Sequence, residues 1–121
     1  MSAHQDAVQR YFAAWNATPE ELNEAVAAAF TEDATYTDPL IEVSGHDQIA
    51  AAIAGAQQQF PGFAFTLTGT PDAHHDLARF TWDLVSRADG SAPAAGFDVV
   101  TLADDGRIRS VSGFLDRLPG A

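Results

Sequence analysis

Phe60-Pro61-Gly62-Phe63-Ala64-Phe65-Thr66-Leu67-Thr68 divides the chain into two parts of different period. Before it, Ile49, Ala52, Ile53, Ala56 and Phe60 recur at the spacing of one helical face. After it, Phe63, Phe65 and Leu67 alternate with Ala64, Thr66 and Thr68, as in a strand buried on one side. Pro61-Gly62 is the punctuation between them, because neither residue continues a helix.

Reading upstream, Ser44-Gly45-His46-Asp47 has the chemistry of a capped start for that third helix. Ala34-Thr35-Tyr36-Thr37-Asp38 is a short β-branched and aromatic run stopped by Pro39, which predicts a strand with Asp38 at its end. Thr18-Pro19-Glu20-Glu21 reads as N-cap, proline at the first helical position and the acidic end of a capping box. A second helix is expected from there to Phe30, with residues 31–33 ending it. Val8, Tyr11, Phe12 and Trp15 set a first helix over residues 7–15.

Downstream, a turn is expected at residues 72–76, a strand at 77–86, a loop of small residues at 88–95 and a strand at 96–103. Asp104-Asp105-Gly106 forms the last hairpin turn, residues 107–116 the closing strand, and residues 118–121 a frayed tail. Three helices followed by at least four antiparallel strands imply an α+β class. The expected architecture is a cone-shaped roll, with the helices packed on a curved, mostly antiparallel sheet, in one domain of residues 1–121. Its interior is expected to be walled by Trp15, Tyr36, Ile53, Phe60, Phe80, Trp82, Val100 and Phe114. Each of these could equally be ordinary core.

Composition narrows the function. The chain has 121 residues, 46% hydrophobic, enough for one core. Seventeen acidic side chains against six basic ones give a net charge of −11, which would repel a nucleic-acid backbone or an anionic membrane. All the cations are arginine, so no lysine amine can form a Schiff base. The absence of cysteine removes thiolate chemistry and disulfides. Neither a signal peptide nor an apolar run of membrane length is apparent, and a cytoplasmic location is expected.

Asp38 shares a strand face with Tyr36 and Ala34, and Asp98 shares one with Gly96, Val100 and Leu102, so both carboxyls should point into apolar surroundings. Desolvation raises a carboxyl pKa, and two buried acids can take opposite roles, one neutral and donating, one ionised and accepting a proton. Tyr11, on the apolar stripe of the first helix, could share an oxyanion with the acid. A core tyrosine, and aspartates serving as caps, turns or ion pairs, fit the same pattern. His74-His75-Asp76 cannot supply three converging ligands from one strand, so no metal is expected. His46 and His75 remain secondary candidates.

Val8-Gln9-Arg10-Tyr11, Asp33-Ala34-Thr35-Tyr36-Thr37-Asp38-Pro39 and Asp98 together resemble the bacterial ketosteroid isomerases. More broadly, residues 5–116 resemble the nuclear transport factor 2-like superfamily and its SnoaL-like branch of polyketide cyclases. The resemblance implies cofactor-free proton transfer on a lipophilic cyclic ketone, with Asp38 as base and Tyr11 and Asp98 holding the enolate oxygen. It also implies a homodimer through the sheet. The cyclase branch uses a late acid, which here would be Asp116. A non-catalytic ligand-binding or assembly module is the third reading. Where the isomerases carry a supporting tyrosine in the third helix, this chain has Ile53.

Overall fold

A computed structural model describes residues 2–119. Its first helix, α1 (Ala3–Trp15), begins four residues earlier than the apolar stripe alone indicates. Ser2 caps it, accepting from the Gln5 N–H, while the Gln5 side chain accepts from the Ser2 N–H at 3.2 Å. Ala7, Val8, Tyr11, Ala14 and Trp15 form the buried face. Asn16 ends the helix, and its side chain both donates to the Phe65 carbonyl and accepts from the Phe65 N–H, each at 2.8 Å.

Helix α2 (Leu22–Ala29) starts later than expected. Thr18 and Glu21 do pair, with the Thr18 hydroxyl donating to the Glu21 carboxylate at 3.0 Å, but they close a turn ahead of the helix. Strand β1 (Phe30–Thr37) follows with no intervening loop, so residues 31–33 are strand rather than a helix end. Phe30 ends α2 in extended conformation and is fully buried. Asp38 lies just beyond β1, in a tight connection to a short strand, β2 (Glu42–Ser44), that the sequence did not announce. Helix α3 (His46–Gln59) is preceded by Gly45 at φ +84°, a left-handed conformation that makes glycine, not Ser44, the cap. Gln48 instead reaches back to the Ser44 N–H at 2.9 Å.

Four long strands complete the molecule: β3 (Phe63–His74), β4 (Leu77–Ser86), β5 (Ala94–Leu102) and β6 (Ile108–Arg117). β3 runs through the expected turn at 72–76 by way of a register shift between Thr68 and Asp72, where Gly69 takes φ +67°. The turn is reduced to His75 and Asp76. β5 starts two residues earlier than expected because Ala94 and Ala95 pair with Leu84 and Asp83. Of the expected tail, Gly120 and Ala121 lie outside the described residues.

The six strands lie in the order β2-β1-β6-β5-β4-β3. All neighbours are antiparallel except β1 and β6, which run parallel. The helices cover one face of this curved, unclosed sheet, giving the α+β arrangement that the periodicities imply. Between them lies one apolar cluster that includes Val26, Phe30, Ile49, Ile53, Val100, Ile108 and Val111.

Register decides which side chains face the helices. Asp98 pairs with Gly113, so alternation places Val111, Gly113 and Leu115 inward on β6, and Phe114 outward. Phe114 is 57% exposed and packs with Phe97 at 6.4 Å between ring centroids. Its expected place in the inner wall is thereby corrected: alternation along β6 cannot choose a face until the partner strand sets it.

Candidate active site

Between the helices and the inner face of the sheet lies a cavity of about 100 Å³. Trp15, Tyr36, Phe60 and Trp82 line it as expected, joined by Phe65, Leu84 and Leu115. Ile53, Phe80 and Val100, also expected there, are buried in the core beneath it and do not reach the cavity. Phe80 nevertheless supports the site, with its ring 5.4 Å from that of Tyr11.

Both acids reach this cavity, from different elements. Strand β5 carries Asp98 inward and leaves it 3% exposed. Helix α1 brings Tyr11 across from the opposite layer, and its hydroxyl donates to Asp98 Oδ2 at 2.8 Å. Burial, opposing the hydrogen bond from Tyr11 and the influence of Trp82 and reinforced by the Asp38 charge, pushes the Asp98 carboxyl up to about 6. The same burial, with Asp98 beside it, raises Tyr11 well above the ordinary phenol range and keeps it a neutral donor.

Asp38 is half-buried at the cavity wall, and three donors hold it. Its Oδ1 accepts from the backbone N–H groups of Leu40 and Ile41 at 2.8 and 3.0 Å, which closes the turn after β1. Its Oδ2 accepts from the Tyr36 hydroxyl at 2.7 Å. Desolvation, with Asp38 close by, raises Tyr36 too, so it stays protonated. Two carboxyls, each bonded to its own phenol, thus share one cavity, with no arginine, lysine or histidine among the lining residues.

The approach of the two acids depends on glycines that sequence reading did not single out. A Cβ on Gly113 would stand 2.8 Å from Asp98 Oδ1 and 3.4 Å from the Asp38 Cβ. A Cβ on Gly96 would collide with the Trp82 indole, which lies over that glycine. A glycine inside a strand is unfavourable unless something approaches its backbone closely, and this was the available signal. The role of the Tyr36 hydroxyl was likewise missed, because side chains two residues apart on a strand share a face but show no partner until the chain turns at Pro39.

The secondary candidates lie elsewhere. His46 Nε2 is 2.9 Å from the Phe30 carbonyl, tying the start of α3 to β1, and does not line the cavity. His75 sits in the β3–β4 turn at φ +50°, with its carbonyl 2.8 Å from His4 Nε2. Asp116 is exposed at the register shift between β5 and β6, outside the cavity. Among the described residues, no three histidines or carboxylates gather as a metal site requires.

A family model described as a SnoaL-like domain matches residues 8–111. A protein from Agrobacterium tumefaciens, described as a proposed isomerase of the SnoaL-like family, is 46% identical. The match covers 96% of this chain and 99% of that one, with a TM-score of 0.89. A proposed SnoaL-like polyketide cyclase from Jannaschia sp. CCS1 is 19% identical over 94% of this chain and 85% of that one, at TM-score 0.77. An NTF2-like protein of unknown function from Exiguobacterium sp. 255-15 is 23% identical, covering 91% and 98%, at TM-score 0.70. No curated protein matches the sequence significantly.

Proposed function

The chain belongs to the SnoaL-like domain family, and from that premise we propose that it is a cofactor-free acid/base enzyme that moves a proton beside the carbonyl of a small cyclic ketone. The observation that carries this reading is the meeting of Asp38 and Asp98 across Gly113 in one apolar cavity, with Tyr11 bonded to Asp98.

In the proposed reaction Asp38 takes the proton from the carbon next to the carbonyl. The electrons of the broken C–H bond move onto the carbonyl oxygen. Neutral Asp98 donates its proton in a hydrogen bond to that oxygen, while Tyr11 fixes the acid from behind. Asp38 then returns the proton to the same carbon or to a conjugated one, and the oxygen regains its double bond. Donors placed in advance around a developing oxyanion stabilise it more than water does, because they need not reorient. Two features favour this over a binding module: neither acid is tied to an arginine, and each keeps its carboxyl in the cavity. The cyclase reading would use Asp116, which stands away from the cavity.

The rest of the proposal is a lipophilic ligand, a cytoplasmic setting without nucleic-acid or membrane partners, and a homodimer through the outer sheet face that bears Phe97 and Phe114. The deciding experiment follows deuterium uptake beside the carbonyl of simple cyclic ketones in D₂O by NMR. Uptake by the parent and its loss in Asp38→Asn are expected. Uptake no faster than in buffer, across a panel of ring ketones, would overturn the proposal.

A further inference from the structure

Two buried nitrogens without a hydrogen-bond partner among the described residues, Arg10 Nε and Trp15 Nε1, take no part in the proposed reaction. The indole N–H of Trp15 is sealed from solvent and, among the described residues, has no hydrogen-bond partner. Burying a donor without an acceptor is unfavourable, so its position asks for a reason.

Its neighbours supply one. Trp15 follows Tyr11 by one helical turn on α1, so both project from the same face. Their rings are 6.2 Å apart and tilted by 56°. Tyr36 at 5.7 Å and Phe65 at 4.9 Å pack against the indole and hold it in place. The Tyr11 hydroxyl spends its proton on Asp98, which leaves lone pairs on the phenol oxygen. Helix α3 offers that oxygen nothing from Ile53, which is fully buried hydrocarbon. Burial and Asp98 raise the Tyr11 phenol, and the Trp15 side chain acts against them.

We propose that Trp15 is the positioning residue for Tyr11, its indole N–H engaging the phenol oxygen as negative charge gathers on a ligand oxygen held by Asp98. The chain from indole to phenol to carboxyl then polarises in one direction, and each donor strengthens the next. This inference rests on the reading of the cavity as an oxyanion site.

Pentafluorophenolate is an enolate mimic, and pentafluorotoluene is a neutral molecule of nearly the same shape. With two tryptophans in the chain, the Trp15 indole N–H resonance is assigned by its loss in Trp15→Phe. At about pH 6, where Asp98 is partly neutral, pentafluorophenolate should move that resonance downfield and pentafluorotoluene should not. Trp15→Phe should weaken pentafluorophenolate roughly 2- to 10-fold and leave pentafluorotoluene nearly unchanged. If pentafluorophenolate binds the parent protein while the resonance stays still, or if both molecules move it alike, the role of Trp15 is overturned and the oxyanion site stands. Failure of pentafluorophenolate to bind at all overturns both. Trp82→Phe removes the other indole resonance, so the assignment and the test hold even if Trp15→Phe fails to fold.

Discussion

Gly113 stands directly across the β5–β6 pair from Asp98, and a Cβ there would lie 2.8 Å from the Asp98 Oδ1. That is shorter than an ordinary contact, and the other Asp98 oxygen is bonded to Tyr11, so a shift of the carboxyl away from the new Cβ disturbs that bond. Gly113→Ala should therefore displace the carboxyl from Tyr11 at an overpacking cost of about 1–3 kcal/mol. Denaturant unfolding measures the cost, and ketone deuteration should fall at least tenfold. Full exchange activity in a folded Gly113→Ala would show that the spacing of the acids does not matter.

Tyr11→Phe and Asp38→Asn separate the two halves of the proposed reaction. Tyr11 acts through Asp98, so its loss should cost less than the 10²- to 10³-fold, roughly 2.7–4 kcal/mol, that removal of a direct oxyanion donor commonly costs. Removing a general base costs about 10²- to 10⁴-fold. Asp38→Asn should therefore abolish deuteration while pentafluorophenolate still binds, and Tyr11→Phe should weaken both. Equal activity in the parent and Asp38→Asn would remove Asp38 from the mechanism.

His46→Ala tests the structural role assigned to that ring. Its tie to the Phe30 carbonyl joins α3 to β1, and loss of a hydrogen bond of this kind costs about 0.5–1.5 kcal/mol. Deuteration per folded molecule should not change. A selective loss of exchange, with the unfolding midpoint unmoved, would return His46 to the list of reacting groups.

How much of this was legible beforehand varies by element, for physical reasons. The break at Pro61-Gly62 is a local event, written in residues that cannot continue a helix, and α3 and β3 meet there as read. The start of β1 at Phe30 was hidden because a buried aromatic at the end of α2 suits either a helix or a strand, and only pairing with β6 distinguishes them. Asp38, Asp98 and Tyr11 could be placed on apolar faces by period alone. Their meeting across Gly113 could not, since it depends on the register of β5 against β6. The same dependence sent Phe114 to the outer face, while the Tyr36–Asp38 bond was hidden by the turn after β1. Local chemistry can be read along the chain, whereas convergence needs the third dimension.

Asp98 should also leave its mark on pH behaviour, in stability and in rate. Folding raises its carboxyl from 3.8 to about 6, so between these values the folded protein holds a proton that the unfolded chain has released. Its contribution to stability is fully present below the lower value and is lost as pH rises through the upper one, by at most about 3 kcal/mol. Asp98→Asn has no such proton, so the stability of the parent relative to the variant should fall between about pH 4 and pH 7. Denaturant titrations at the two pH values measure this difference. In the proposed reaction only neutral Asp98 can donate to the enolate. Deuteration by the parent should therefore decline about tenfold per unit above a midpoint near 6. Asp98→Asn should be slower throughout and lack that decline. A decline of the same midpoint in the variant would assign it to another group, and a flat profile in the parent would mean that the acid works ionised or not at all.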